Sequence, residues 1–122
     1  MPAGTPRVVL DLNVLVSGLL AERSGCQSHP ACCLAATRRG TIALLLSPGM
    51  LARLRRVLSY PKLAFSPEAA DQASREIAAW LQPGRLIPDP GPPAPRELLC
   101  PDREDDAVLR TALAGGAHAL VT

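Results

Sequence analysis

The chain has 122 residues, 48% of them hydrophobic and 20% charged, with 13 Lys+Arg against 11 Asp+Glu. These values describe one domain spanning residues 1–122 that buries roughly two thirds of its unfolded surface, and they exclude a disordered or collagen-like chain. A formal net charge of +2 is too small to mark a nucleic-acid binder by itself.

Residues 7–10 are a β-branched-rich run that reads as a buried strand ending at Asp11. Val14, Leu15, Gly18 and Leu19 then recur at the spacing of a helix packing back on a sheet. Residues 30–39 predict a second helix stopped by Gly40, and residues 41–46 a second buried strand. Ser47-Pro48 supplies an N-cap and a first-turn proline, with Met50, Leu51, Leu54, Val57 and Leu58 as the apolar face before Pro61. Ser66-Pro67 opens another helix in the same way, ending near Pro83-Gly84. Residues 85–87 predict a short strand within a proline-rich loop. Asp102 caps a helix running to Ala114, Gly115-Gly116 stops it, and residues 117–122 hold a last strand. This alternation predicts a parallel sheet with helices on both faces, with Asp11, Ser47 and Thr122 at its carboxyl edge.

Cys26, Cys32, Cys33 and Cys100 lack the paired C-x2-C spacing of tetrahedral zinc sites. The apolar run over residues 8–20 is broken by Asp11 and Asn13, is too short to span a bilayer and lacks a signal-peptide layout. A cytoplasmic protein with reduced thiols and no membrane association is expected. His29 and His118 have no acid or serine at a spacing that suggests a catalytic pair, and they read as surface or strand-edge residues.

The acidic residues carry the chemistry. Only Asp11 and Glu22 precede residue 68, and Asp11 stands where parallel sheets place their sites. Its position fits two roles equally: a site carboxylate needing a cation or donors, and an N-cap for the following helix. Asp102, Glu104, Asp105 and Asp106 crowd the start of a helix whose dipole favours them, and Asp102 with Asp105 resembles a capping box. Asp105 precedes Val108, Leu109, Ala112 and Leu113 by helical spacings, so it is expected to point inward, towards Asp11. Carboxylates brought together there would need a cation, and oxygen-only ligands suit Mg²⁺ or Mn²⁺. Arg53, Arg55 and Arg56 form either a phosphate-contacting patch or a solvated helix face, the second being favoured for Arg55 and Arg56.

Four segments in order, Val8 to Gly18, Leu44 to Pro48, Leu54 to Leu63 and Asp102 to Thr122, resemble the PIN domain. More narrowly they are similar to the toxin components of bacterial type II toxin–antitoxin systems, the VapC-like ribonucleases. The resemblance implies a three-layer α/β/α sandwich with a central parallel sheet, incomplete at the C-terminus. It also implies a metal-dependent endoribonuclease with Mg²⁺ or Mn²⁺ as cofactor, RNA as substrate, an antitoxin protein as partner, and a homodimer. Asp11 matches the family's first acid, and Asp102 and Asp105 match its D-x-x-D segment, giving the expected catalytic and metal-binding set; Asp106 ranks lower. Three positions depart from the pattern. Leu12 replaces a threonine, Arg53 stands at a helix glutamate, and Thr122 matches a threonine that the family follows with Gly-Asp, so the chain reads as C-terminally truncated. The alternative expectation is a catalytically inactive module of the same fold that binds RNA or an antitoxin. A haloacid-dehalogenase reading fails because Asn13 stands where a second aspartate is needed, and a receiver-domain reading fails because Leu46-Ser47 offers no acid and no lysine follows the late strands.

Overall fold

A computed structural model describes residues 4–81, 84–89 and 102–122. The elements follow as β1 (Arg7–Leu10), α1 (Leu12–Ser24), α2 (His29–Arg39), β2 (Ala43–Leu45), α3 (Pro48–Leu58), a 3-10 turn (Pro61–Leu63), α4 (Pro67–Trp80), α5 (Arg103–Ala114) and β3 (Ala119–Val121). The strands form a parallel sheet in the order β2-β1-β3. Val8 is paired with Leu44 on one side and Ala119 on the other, and both pairings are parallel, the direction that the alternation of the sequence predicts. Residues 85–87 do not form a full strand. Leu86 makes an isolated parallel bridge with Leu46, in which the Ile87 N–H donates to the Leu46 carbonyl at 2.8 Å. Residues 90–101, which include Cys100 and most of the proline-rich loop, lie outside the described residues.

Each helix begins where the sequence offers a cap. Ser28, Ser47 and Ser66 accept from backbone N–H groups in the first turns of α2, α3 and α4, each with a proline in that turn. Asp11 and Asp102 do the same for α1 and α5. α1 and α2 connect β1 to β2, α3 and α4 connect β2 to the Leu86 bridge, and α5 leads back past β1 to β3. The right-handed rule for parallel crossovers assigns α1–α4 to one face of the sheet and α5 to the other. The buried runs follow from this three-layer arrangement, because a parallel strand covered on both faces has no solvent side. Val9, Leu10, Leu44 and Leu46 are wholly buried, together with Leu34, Leu54, Leu58 and Ile77 from the helices.

β3 is fixed to β1 at both ends. At the start, the Arg7 N–H donates to His118 Nδ1 at 2.9 Å, the His118 N–H donates to the Arg7 carbonyl at 2.7 Å, and the Arg7 guanidinium donates to the Gly115 carbonyl. At the other end, the Asp11 N–H donates to the Val121 carbonyl at 2.9 Å. Asp11, Ser47 and Thr122 therefore share the carboxyl edge of the sheet. Among the described residues no helix is long and apolar enough to cross a membrane.

Candidate functional site

Asp11 takes the cap role that its position in the sequence allowed, at the carboxyl edge of the sheet. Its Oδ1 accepts the Leu12 N–H at 2.7 Å as the cap of α1, and the half-buried side chain stands at the carboxyl end of the central strand. Leu12, beside it, packs against the core, whereas Asn13 is exposed.

The acids of α5 separate into different environments. Asp102 is exposed, and its Oδ1 accepts the N–H groups of Glu104 at 2.8 Å and Asp105 at 3.1 Å. Such a carboxylate lowers the cost of a helix start by on the order of 1 kcal/mol. Asp105 is exposed, contrary to the inward orientation that its spacing from Leu109 and Leu113 suggested. The reason lies in the rotation of α5 about its axis. Val108, Thr111 and Ala112 face the sheet and Leu113 is 67% exposed, so the buried stripe is turned away from Asp105. Asp106 is instead 1% exposed, and Arg110, one turn on, donates to its Oδ2 at 2.8 Å.

Two further groups reach this edge. Arg53 of α3 donates to Glu104 at 2.7 Å. Asp89, just beyond the Leu86 bridge, accepts the Gly49 N–H at 2.9 Å in the first turn of α3. A Cβ at position 49 would lie 2.7 Å from that Asp89 oxygen, so a larger residue there would push the carboxylate aside and lengthen the contact. Asp89 was not singled out by sequence reasoning. The available signal was its place two residues after a short predicted strand, where parallel sheets collect polar groups.

All of these donors are oxygens, which suits a hard divalent cation. Among the described residues, however, no three His, Cys, Asp or Glu side chains are grouped so as to hold one ion. Asp106 is engaged by Arg110 and Glu104 by Arg53, and Asp102 spends one oxygen on two N–H bonds. The described acids therefore do not complete a cation site by themselves.

What this edge can do chemically is concentrate negative charge beside positioned guanidinium groups, at the place where α/β sheets bind ligands. No curated protein and no solved structure matches the chain. A match to a family described as the PIN domain runs over residues 7–122. It takes in every strand of the sheet, the Asp11 edge and the acid-rich turn of α5, and PIN domains are nuclease-type folds that generally use divalent metal ions. The parallel sheet with its acidic carboxyl edge and this match agree over nearly the whole sequence, and the chain belongs to the PIN domain family.

Proposed function

We propose that this chain is an endoribonuclease cleaving single-stranded RNA, and that it acts as the toxin of a toxin–antitoxin pair with a cognate antitoxin protein as its partner. The observation that carries the reading is the position of Asp11. Its backbone is tied to the end of β3 while its carboxylate stands half-buried at the carboxyl edge, in a chain whose family is built around that edge. Asp11, Asp102 and Asp105 are the residues assigned to hydrolysis and to binding Mg²⁺ or Mn²⁺. In such a site a bound divalent cation would lower the pKa of a water molecule and stabilise charge on the phosphodiester. The chain's own share is to fix Asp11 through the Leu12 and Val121 bonds and to present the α5 acids on a rigid helix start.

A second reading is favoured by the Arg53–Glu104 pair and by the incomplete grouping of acids: a catalytically inactive PIN module that binds RNA or an antitoxin. One experiment separates the two. Labelled single-stranded RNA is incubated with the purified chain in Mn²⁺, in Mg²⁺ and in EDTA, alongside Asp11→Asn. The ribonuclease reading expects slow divalent-dependent cleavage that Asp11→Asn abolishes. RNA that is bound and left intact under all conditions supports the second reading.

A further inference from the structure

No Asp or Glu lies between Glu22 and Glu68, whereas Arg23, Arg38, Arg39, Arg53, Arg55, Arg56 and Lys62 all do. Several of these cations are already engaged. Arg23 donates to the carbonyls of Leu63 and Ala64 and lies over the Phe65 ring, Arg38 is held by Glu22 and Glu76, and Arg53 is paired with Glu104. Arg55, Arg56 and Lys62 are exposed and have no acidic partner among the described residues. Tyr60, set among them, is 42% exposed.

These residues have an order in space. Leu54 and Leu58 are wholly buried and fix which side of α3 faces the core. Arg53, Arg56 and Tyr60 follow at i, i+3 and i+7, the spacing of one helix face, and the Tyr60 N–H donates to the Val57 carbonyl at 3.0 Å, carrying the turn past Leu58. Because α3 starts at the carboxyl edge, this stripe begins at Arg53 beside the α5 acids and leads away from them to Tyr60 and Lys62.

We propose that this stripe is a binding track for single-stranded RNA. Arg56 and Lys62 take backbone phosphates, Tyr60 stacks under a base, and the strand is led along α3 towards Arg53 and the acidic edge. The choice of RNA as the polyanion rests on the ribonuclease reading. Unpaired cations supply phosphate affinity regardless of sequence, and an exposed aromatic among them adds the stacking that an acidic peptide does not use.

The test is fluorescence anisotropy of a short labelled oligoribonucleotide, in EDTA to prevent cleavage, over a series of salt concentrations. Arg56→Ala and Lys62→Ala should each make the slope of log K against log salt shallower by about 0.7. Tyr60→Ala should weaken binding about tenfold at unchanged slope, and Tyr60→Phe should restore it. Arg75→Ala, at a residue paired with Asp71 on α4, should leave binding unchanged. Absence of binding, indifference to the α3 cations or to Tyr60→Ala, or equal competition by polyglutamate would overturn the track. Because binding is read without metal, its loss in a chain that still cleaves RNA sinks the track alone, and binding without cleavage supports the track while removing the ribonuclease reading.

Discussion

Arg53 Nη2 donates to Glu104 Oε2 at 2.7 Å, joining the middle of α3 to the first turn of α5 across the carboxyl edge of the sheet. The Arg53 side chain is 21% exposed and its partner 62%. A guanidinium carries its charge at every accessible pH, so this contact supplies fixed positive charge to an edge otherwise dominated by carboxylates. It performs part of what a bound cation would do there, namely offsetting the mutual repulsion of the acids.

Reversing that charge should expose the dependence. In Arg53→Glu two glutamates face each other, and the loss of a partly exposed pair together with the new repulsion should cost about 1 kcal/mol, or roughly 3 °C in Tm. Thermal melts in EDTA and in Mn²⁺ provide the measurement. The variant should regain more stability from Mn²⁺ than the parent does. Equal responses of the two proteins would show that Arg53 does not substitute for a cation.

A second prediction concerns the close contact between α1 and α2. At Gly18, a Cβ would lie 2.8 Å from Leu34 Cδ1 and 2.9 Å from the Pro30 carbonyl oxygen. The side chain could shift by rotation, but the backbone carbonyl cannot give way without moving α2 off α1. Gly18→Ala should therefore destabilise by about 1–3 kcal/mol despite the better helix propensity of alanine. Chemical denaturation would read it as a lowered midpoint at unchanged m-value.

The fold was legible because its signals are local and repeated. The Ser-Pro starts, Gly40 at left-handed φ past the end of α2, and the stripe Val14, Leu15, Gly18, Leu19 each stand in the structure as the sequence predicts. The candidate site was legible only in part. Asp11 was placed by its position directly after the first predicted strand, which the sequence shows, but the orientations of Asp105 and Asp106 depend on how α5 rotates against β1 and β3. Leu109 and Leu113 misled the reading because an apolar residue at helical spacing need not be inward, and Leu113 is mostly exposed. The Asp89–Gly49 contact joins residues far apart in sequence through a single bridge at Leu86; the short strand predicted at residues 85–87 hinted at a polar group there but not at its partner.

Arg38 ties three helices together. From α2 it donates to Glu22 of α1 and Glu76 of α4, and it lies 5.3 Å from the Trp80 ring centroid. Hydrogen bonding to Glu22, and next to Glu76, holds its pKa above the ordinary guanidinium range. A raised basic pKa contributes stability that is fully present below the unfolded value and lost only as pH rises through the folded one, so titration of Arg38 itself adds no pH dependence in the neutral range. All three groups are substantially solvated, which limits the expected loss in Arg38→Ala to about 1 kcal/mol. A double-mutant cycle with Glu76→Ala should give a coupling below about 0.5 kcal/mol that shrinks in high salt. Arg38→Lys should behave closer to alanine than to arginine, because an ammonium cannot span both carboxylates and stack on the indole.

Asp105 and Asp106 are adjacent in sequence and opposite in environment, and substituting each by asparagine should separate stability from function. Asp106 is 1% exposed and accepts from Arg110, whose side chain is 27% exposed. Removing its charge takes away one acceptor of a partly buried guanidinium while adding an amide that must find partners of its own. The expected cost is about 2 kcal/mol, less than for a fully buried pair because Arg110 reaches water. Asp105 is exposed at the helix start and loses only its favourable position in the dipole field, so its asparagine variant should stay within about 1 kcal/mol of the parent. If Asp105 serves the hydrolysis proposed above, cleavage disappears in Asp105→Asn while the melt is unchanged. A variant that still cleaves would move the assignment to Asp106, whose own variant must then be assayed well below its lowered Tm to keep unfolding apart from loss of chemistry.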